Sequence, residues 1–365
     1  SQQQPGTDAR TAASLPGRMT AIGMEAPGAP QVLRAETRPV PVPGPGQVLI
    51  KVKAAALCGT DMHIFEWNPW AQGAGINFPF IMGHECCGDV VAVGEGVKGL
   101  AAGDKVVGET HVPCGECYQC LNGEQHICAN LKLFGIHMNG CFAEYTVIPA
   151  ACAKKIPQEI AYDVGAVMEP LGTAVRAAHE MQVAGANVMV LGCGPIGLFA
   201  VAAAVCMGAA RIFATDISPA RMAIARAMGA TEVFNPLQQD VKQIVLAATG
   251  GTGVDVIIEA SGNVDALKGS FQYLRKGGRM ALIGLPGRPI ELEIGKEIVF
   301  KEAKIIGIHG RKMFETWTQM ENLLASGKLK VEPAITHVMP LKNWQDGVEL
   351  AKTGQACKVI YHPGE

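Results

Sequence analysis

The sequence predicts an α/β protein in two parts, a β-rich domain followed by a doubly wound parallel sheet. Three observations predict it. Residues 19–170 break into short β-type segments (QVLIKVKAAAL, GDVVAVGEGV, DKVVG, FAEYTVI) whose joints are crowded with Pro and Gly, most densely in PVPVPGPGQ. From about Gly172 onward, apolar strands and helical stretches alternate at βαβ spacing. Finally, 365 residues exceed what one core serves, about 100–200 residues.

In chain order, the first 18 residues, SQQQPGTDARTAASLPGR, are polar, small and punctuated by Pro and Gly. They lack the roughly 7–15-residue apolar core of a secretory signal and read as a disordered tail. Residues 19–170 suit an irregular, mostly antiparallel β domain. The second part opens with the strand NVMVLG and the long apolar helix PIGLFAVAAAVCMGA. The strand RIFATD follows, then the helix SPARMAIARAMGA, where Ser218 is placed to cap and Pro219 to occupy the first turn. EVFN, VDVIIEAS, RMALIGL and AKIIGIHG complete six strands. From Arg311 a helix (FETWTQMENLLASG) and a closing β-type segment are expected to pack back on the first domain.

Composition excludes several classes. Hydrophobic residues make up 48%, yet no apolar run approaches the roughly 20 residues that span a bilayer. A net charge of −2 with interspersed signs offers no basic stripe for nucleic acid or a membrane surface. The expectation is a cytoplasmic protein acting on a small molecule. Twelve cysteines without a secretory signal point to thiols and metal ligands rather than disulfides.

The segment Gly192-Cys193-Gly194-Pro195-Ile196-Gly197 is a G-x-G-x-x-G sequence that follows a strand and opens a helix. Glycines there permit a tight turn and close approach of a pyrophosphate, which the helix N-terminus attracts. The second strand ends in Asp216, 19 residues beyond Gly197. Its carboxylate can accept from both ribose hydroxyls of NAD and would repel the 2′-phosphate of NADP; a plain turn or capping role is the alternative. Arg221 stands close behind, placed to stack on adenine or pair with phosphate.

Cys114, Cys117, Cys120 and Cys128 follow C-x2-C-x2-C-x7-C. Four thiolates can close the tetrahedral shell of one zinc, leaving no position for substrate, which makes such a site structural. A second set is dispersed: Cys58 in LCGTDMH, His84 and Glu85 in MGHECCG, Glu169 in MEPLG. One Cys, one His and one or two carboxylates form the open shell of a catalytic zinc. Taken singly, each has an ordinary structural reading, and spacing alone does not join them.

GHECCGDVVAVGEGV (83–97) resembles the G-H-E-x2-G-x5-G-x2-V signature of the zinc-containing medium-chain alcohol dehydrogenases, with every defined position matched. The four-cysteine loop, CGTDMH and the glycine loop fall in that family's order. The resemblance implies a GroES-like zinc-binding catalytic domain (19–170), a Rossmann NAD-binding domain (171–310) and a C-terminal segment (311–365) returning to the catalytic domain. It implies two zinc ions per chain. Cys58, His84 and either Glu85 or Glu169 would bind the catalytic one, the two glutamates exchanging during turnover. Thr60 would take the proton of the substrate hydroxyl and His63 pass it toward solvent, a task suited to an imidazole. Ile196, Ile283, Gly284, Leu285, Ile308 and His309 would line the cofactor, and His111 could face the substrate. Tetramers are common in the family.

Further strings, CGTDMHIFEWNPWAQ (58–72), ETHVPCGEC (109–117), GCFAEYTVIPA, GRKMFETW (310–317) and PAITHVMP, resemble the branch of that family acting on L-threonine, which yields L-2-amino-3-oxobutanoate. One departure is Thr173, where that branch commonly has Asn. The expected reaction is therefore zinc- and NAD-dependent oxidation of a secondary alcohol, threonine first. A polyol, amino-cyclitol, aminosugar or other secondary alcohol is the alternative. A non-catalytic zinc- and nucleotide-binding protein is disfavoured by the intact Cys58, Thr60, His63, His84 and Glu169.

Overall fold

A computed structural model describes residues 15–28 and 32–365. Of the expected tail, residues 1–14 lie outside the described residues, and Arg18 already belongs to the first strand, opposite Pro39.

The β-rich part is built on a seven-stranded sheet. Its order runs Ala153–Lys155, Lys105–Gly108, Glu85–Val93, Gln47–Ala56, Lys358–His362, Ile335–Pro340, with Tyr145–Pro149 also pairing on Gln47–Ala56. A three-stranded sheet of Leu33–Pro39, Arg18–Met24 and Phe80–Ile81 lies beside it. The last strand of the chain thus lies next to one of the first, and Ile335–Pro340 is the neighbour on its other side. The strand Gln47–Ala56 is covered on both faces, with Val48, Ile50 and Val52 in one core and Leu49 in another, and only Lys51 is exposed.

The second sheet has six strands, all parallel. They lie in the order Glu232–Phe234, Arg211–Thr215, Asn187–Leu191, Val254–Glu259, Leu274–Leu282, Lys304–Gly307. In chain order this is 3-2-1-4-5-6, the doubly wound dinucleotide arrangement, whose strand order reverses between Asn187–Leu191 and Val254–Glu259. Strands buried on both faces read as apolar runs, as Val188, Met189, Val190 and Leu191 do. The Ser218 side chain accepts from Arg221 N–H and Pro219 opens the helix Pro219–Ala227, as the capping pattern requires.

A helix that the β-type reading of residues 19–170 does not anticipate joins the two parts. Met168–Glu180 carries Glu169 and Pro170 in its first turn, where proline's missing N–H costs no helical bond. It runs across the expected 170/171 boundary and packs on both the strand Glu85–Val93 and the helix Pro195–Cys206. One apolar core follows it across, from Ala54, Cys87 and Val107 to Val188 and Ala200. The helix Glu315–Ala325 packs on its other side.

Candidate active site

Strand register brings the dispersed set together. Ala56 lies opposite Glu85 on one neighbouring strand and opposite Ile360 on the other, so Cys58, His84–Glu85 and Lys358 meet at one end of the sheet. Cys58 caps the helix Gly59–Glu66, its N–H donating to Asp61 Oδ2 at 2.9 Å. One donor atom each from Cys58, His84 and Glu85 fall within 4.8 Å of one another. Glu85 Oε1 is buried without a hydrogen-bond partner. His84 Nδ1 lies 3.3 Å from the buried Asp61 Oδ1, an ion pair when the ring is protonated. Buried unpartnered polar atoms cost about 1–3 kcal/mol each. A divalent cation on this donor set relieves that cost, and three protein donors leave a tetrahedral ion one position for substrate. The residues fit a catalytic zinc.

Lys358, fully buried, donates to Leu57 O at 2.8 Å and pairs with Glu85 Oε2. Burial pushes the Glu85 carboxyl up and Glu169 adds to that, while Lys358 opposes it. Burial disfavours charge on His84, but Asp61 and Cys58 outweigh it and lift its pKa well above the ordinary value. That proton must leave when a metal binds.

Glu169 stands apart from this trio. Its carboxylate lies within 4.8 Å of donor atoms of Glu109 and His111. That grouping looks like a metal site, but a guanidinium already fills its role. Arg311 pairs with Glu169 Oε1 at 2.9 Å and donates to Glu169 O at 3.0 Å. It also donates through Nε to Glu109 Oε2 at 2.8 Å and pairs through Nη2 with Oε1. Trp317 Nε1–H and His111 N–H also donate to the carboxylate, at 2.7 and 2.8 Å, and His111 Nδ1 lies 2.9 Å from Oε1. Burial pushes the Glu109 carboxyl up, yet Arg311 and His111 overcome this and hold it well below the usual carboxylate range. The His111 ring meets that of His309 edge-on at 5.1 Å, and Arg176 donates to His309 O at 2.9 Å.

Thr60 is half-buried in the first turn after Cys58, and His63 is exposed one turn later on the same face. Asn68 Nδ2 lies 2.7 Å from His63 Nδ1 and donates to it, which leaves Nε2 as the protonated nitrogen of the neutral ring.

The four clustered cysteines converge, with donor sulfurs all within 4.8 Å. Cys114 and Cys128 Sγ are 3.6 Å apart and Cys117 and Cys128 Sγ 3.8 Å. A tetrahedron with bonds of about 2.3 Å has edges of about 3.8 Å, so these separations fit a structural zinc. The Cys114 thiol is drawn down to about 6, chiefly by the Glu116 N–H and then the Asn130 amide, whereas burial pushes Cys120 up to about 12.

On the parallel sheet, a cavity of about 580 Å³ is lined by Gly192, Gly194, Asp216 and Arg221, together with Ser261 and Asn263 among others. Gly192 has φ +86°, and a Cβ there would lie 2.8 Å from Ser261 Cβ; a Cβ on Gly197 would collide with Gly192 O. Gly194 caps the helix Pro195–Cys206 without a side chain, leaving its first N–H groups to a ligand. Asp216 Oδ2 accepts from Cys193 N–H and Oδ1 from Ser218 N–H, both at 2.8 Å, so it pins the glycine loop while lining the cavity. Arg221 Nε is buried and unpartnered. Ile196 lies half-buried in the helix's first turn. Ile283, Gly284 and Leu285 follow the strand Leu274–Leu282, and Ile308 and His309 follow Lys304–Gly307. These five stand at the same C-terminal edge of the sheet but outside that cavity's lining, and Leu285 is 88% exposed.

Sequence reading missed Asp61, Glu109, Arg311, Trp317 and Lys358. Asp61, Glu109, Arg311 and Trp317 sat inside strings quoted for their resemblance, whereas Lys358 had no signal.

An open Cys–His–carboxylate centre, a closed four-cysteine centre and a dinucleotide crevice on one chain define a zinc-dependent nicotinamide oxidoreductase. The family model described as alcohol dehydrogenase GroES-like domain matches residues 44–158, and that described as zinc-binding dehydrogenase matches 195–326. The L-threonine 3-dehydrogenase of Bacillus licheniformis is 42% identical over 349 residues, covering 96% of this chain and 100% of its own. That of Pyrococcus furiosus is 43% identical over 88% of this chain and 92% of its own. Among solved structures, an alcohol dehydrogenase of Escherichia coli CFT073 complexed with NADH has a TM-score of 0.86 at 30% identity, covering 95% of this chain and 100% of that one. The chain belongs to the zinc-containing medium-chain alcohol dehydrogenase family. It is a zinc- and NAD-dependent enzyme acting on a small-molecule alcohol, with donor sets for two zinc ions. Among the described residues no helix is long and apolar enough to cross a membrane.

Proposed function

We propose that the enzyme oxidises the β-hydroxyl of L-threonine to L-2-amino-3-oxobutanoate. The observation that carries this reading is the identity of 41–43% to several L-threonine 3-dehydrogenases over 88–96% of the chain. When bound, zinc supplies a Lewis acid for the alcohol oxygen and NAD an acceptor for the carbinol hydride.

In this reading Cys58, His84 and Glu85 hold the catalytic zinc, with Glu169 the exchangeable carboxylate, and Cys114, Cys117, Cys120 and Cys128 hold the structural one. Thr60 accepts the hydroxyl proton and His63, already exposed, hands it to solvent. Gly192, Gly194 and Gly197 admit the pyrophosphate; Asp216 accepts from the adenosine ribose and Arg221 borders the adenine. Ile196, Ile283, Gly284, Leu285, Ile308 and His309 complete the cofactor's surroundings. A homotetramer in the cytoplasm belongs to the same reading and rests on the family resemblance.

The test is NADH formation across a panel of alcohols. A site built to pair a substrate's ammonium and carboxylate leaves its own polar groups unpaired with an analogue lacking them, worth about 10⁴-fold in discrimination. L-Threonine is expected to exceed 2-butanol and sorbitol by orders of magnitude in kcat/KM. An inert threonine beside an active polyol or amino-cyclitol refutes the substrate.

A further inference from the structure

The Glu85 carboxylate is divided between two demands. Oε2 pairs with the Lys358 ammonium, while Oε1 is fully buried and without a hydrogen-bond partner, and one oxygen of this carboxylate lies within 4.8 Å of donor atoms of Cys58 and His84. Lys358 is itself fixed at a second point, donating to Leu57 O, the carbonyl immediately before Cys58. Lys358 and Glu85 are each 1% exposed or less, so no water screens the pair. The lysine comes from the strand Lys358–His362, which register sets beside Gln47–Ala56.

We propose that Lys358 is a positioning residue that competes with the catalytic metal for Glu85 and thereby loosens the metal's hold. The inference rests on the reading of Cys58, His84 and Glu85 as the zinc ligands. Without metal, Glu85 gives its whole charge to Lys358. With a divalent cation on Oε1, that charge is shared and the cation repels the ammonium besides. Lys358 therefore stabilises the metal-free protein more than the loaded one, and removing it shifts the balance toward the loaded form.

The experiment compares wild type with Lys358→Met, Lys358→Arg and Lys358→Gln, the last keeping a donor for Leu57 O should Met fail to fold. Zinc-loaded proteins are mixed with excess chelator and loss of each zinc is timed; melting is recorded with and without zinc. In Met and Gln the catalytic zinc is expected to leave about tenfold more slowly or more, the structural zinc at the wild-type rate. Their metal-free Tm is expected to fall further than their loaded Tm, while Arg follows wild type. Neutral variants that hold two zincs but release them at the wild-type rate or faster overturn the inference alone. A wild type that holds a single zinc, or a Cys58→Ser variant that keeps two, overturns the ligand assignment instead and the inference with it.

Discussion

Replacing Glu109 by Gln tests whether the buried charge network at the cleft holds the two parts of the chain together. Glu109 is wholly buried and Arg311 is 1% exposed. The carboxylate accepts from Arg311 Nε at 2.8 Å, Trp317 Nε1 at 2.7 Å and His111 N–H at 2.8 Å, besides its pairing with Arg311 Nη2. A glutamine retains one acceptor oxygen, and its amide N–H groups must face donors wherever they turn. Breaking a buried pair from one side costs about 3–5 kcal/mol. The lower end is expected because Glu169 still pairs with Arg311 at 2.9 Å. At about 2.1 cal/mol/K per residue, 365 residues give about 1.3 °C per kcal/mol, so Tm falls by about 4 °C in a circular-dichroism melt. The double variant Glu109→Gln, Arg311→Met is expected to cost no more than the single one, since it removes the stranded cation. The sign with pH follows from a carboxyl held below its ordinary range: its contribution is present above the unfolded pKa and is lost as pH falls through the folded one. The gap between variant and wild type therefore stays constant from about pH 5 to 8 and closes only in strong acid. A loss below about 1 kcal/mol, or a gap that closes near neutrality, refutes the reasoning.

Two further outcomes follow from the ligand geometry. Metal analysis is expected to find two zinc ions per chain; Cys58→Ser leaves a folded, inactive protein with one, whereas Cys114→Ser fails to fold or assemble, and wild type with one zinc refutes both. Asp216→Ala is expected to raise KM for NAD and the ratio of NADP to NAD use, because the repelling charge goes and the glycine loop loses its anchor on Cys193 N–H; a wild type equally active with NADP removes the role assigned to Asp216.

What was legible in the sequence was local or periodic. The parallel sheet announced itself because central strands such as Asn187–Leu191 are apolar runs buried on both faces, and Asn187–Leu191, Arg211–Thr215 and Val254–Glu259 are each followed by a helix. The glycine loop and the four cysteines lie within a few residues of themselves, so chain spacing already encodes their geometry. The helix Met168–Glu180 was not legible, since Glu-Pro near its start and Gly172 within it resemble a turn. Gly172 is there for space: a Cβ would press at 2.5 Å on the Arg311 side chain. The ionic partners were illegible for a different reason. Glu109 and Arg311 are 202 residues apart, Glu85 and Lys358 273, and a single charged residue carries no mark of the partner it will meet.

Those separations have a structural consequence. Arg311, Trp317 and Lys358 all come from the last 55 residues, after both zinc ligand sets and the dinucleotide sheet have been laid down. Until that segment returns, Glu85 lacks its ammonium partner and Glu109 its guanidinium, and burying a carboxylate without such a partner is strongly unfavourable. The cleft therefore cannot close around its carboxylates before the strand Lys358–His362 inserts between Gln47–Ala56 and Ile335–Pro340. The C-terminal segment is then more than a cover over the first domain. It supplies the cations that make the polar floor of the cleft compatible with burial, and it binds the domain carrying the metal to the helix that bridges to the cofactor.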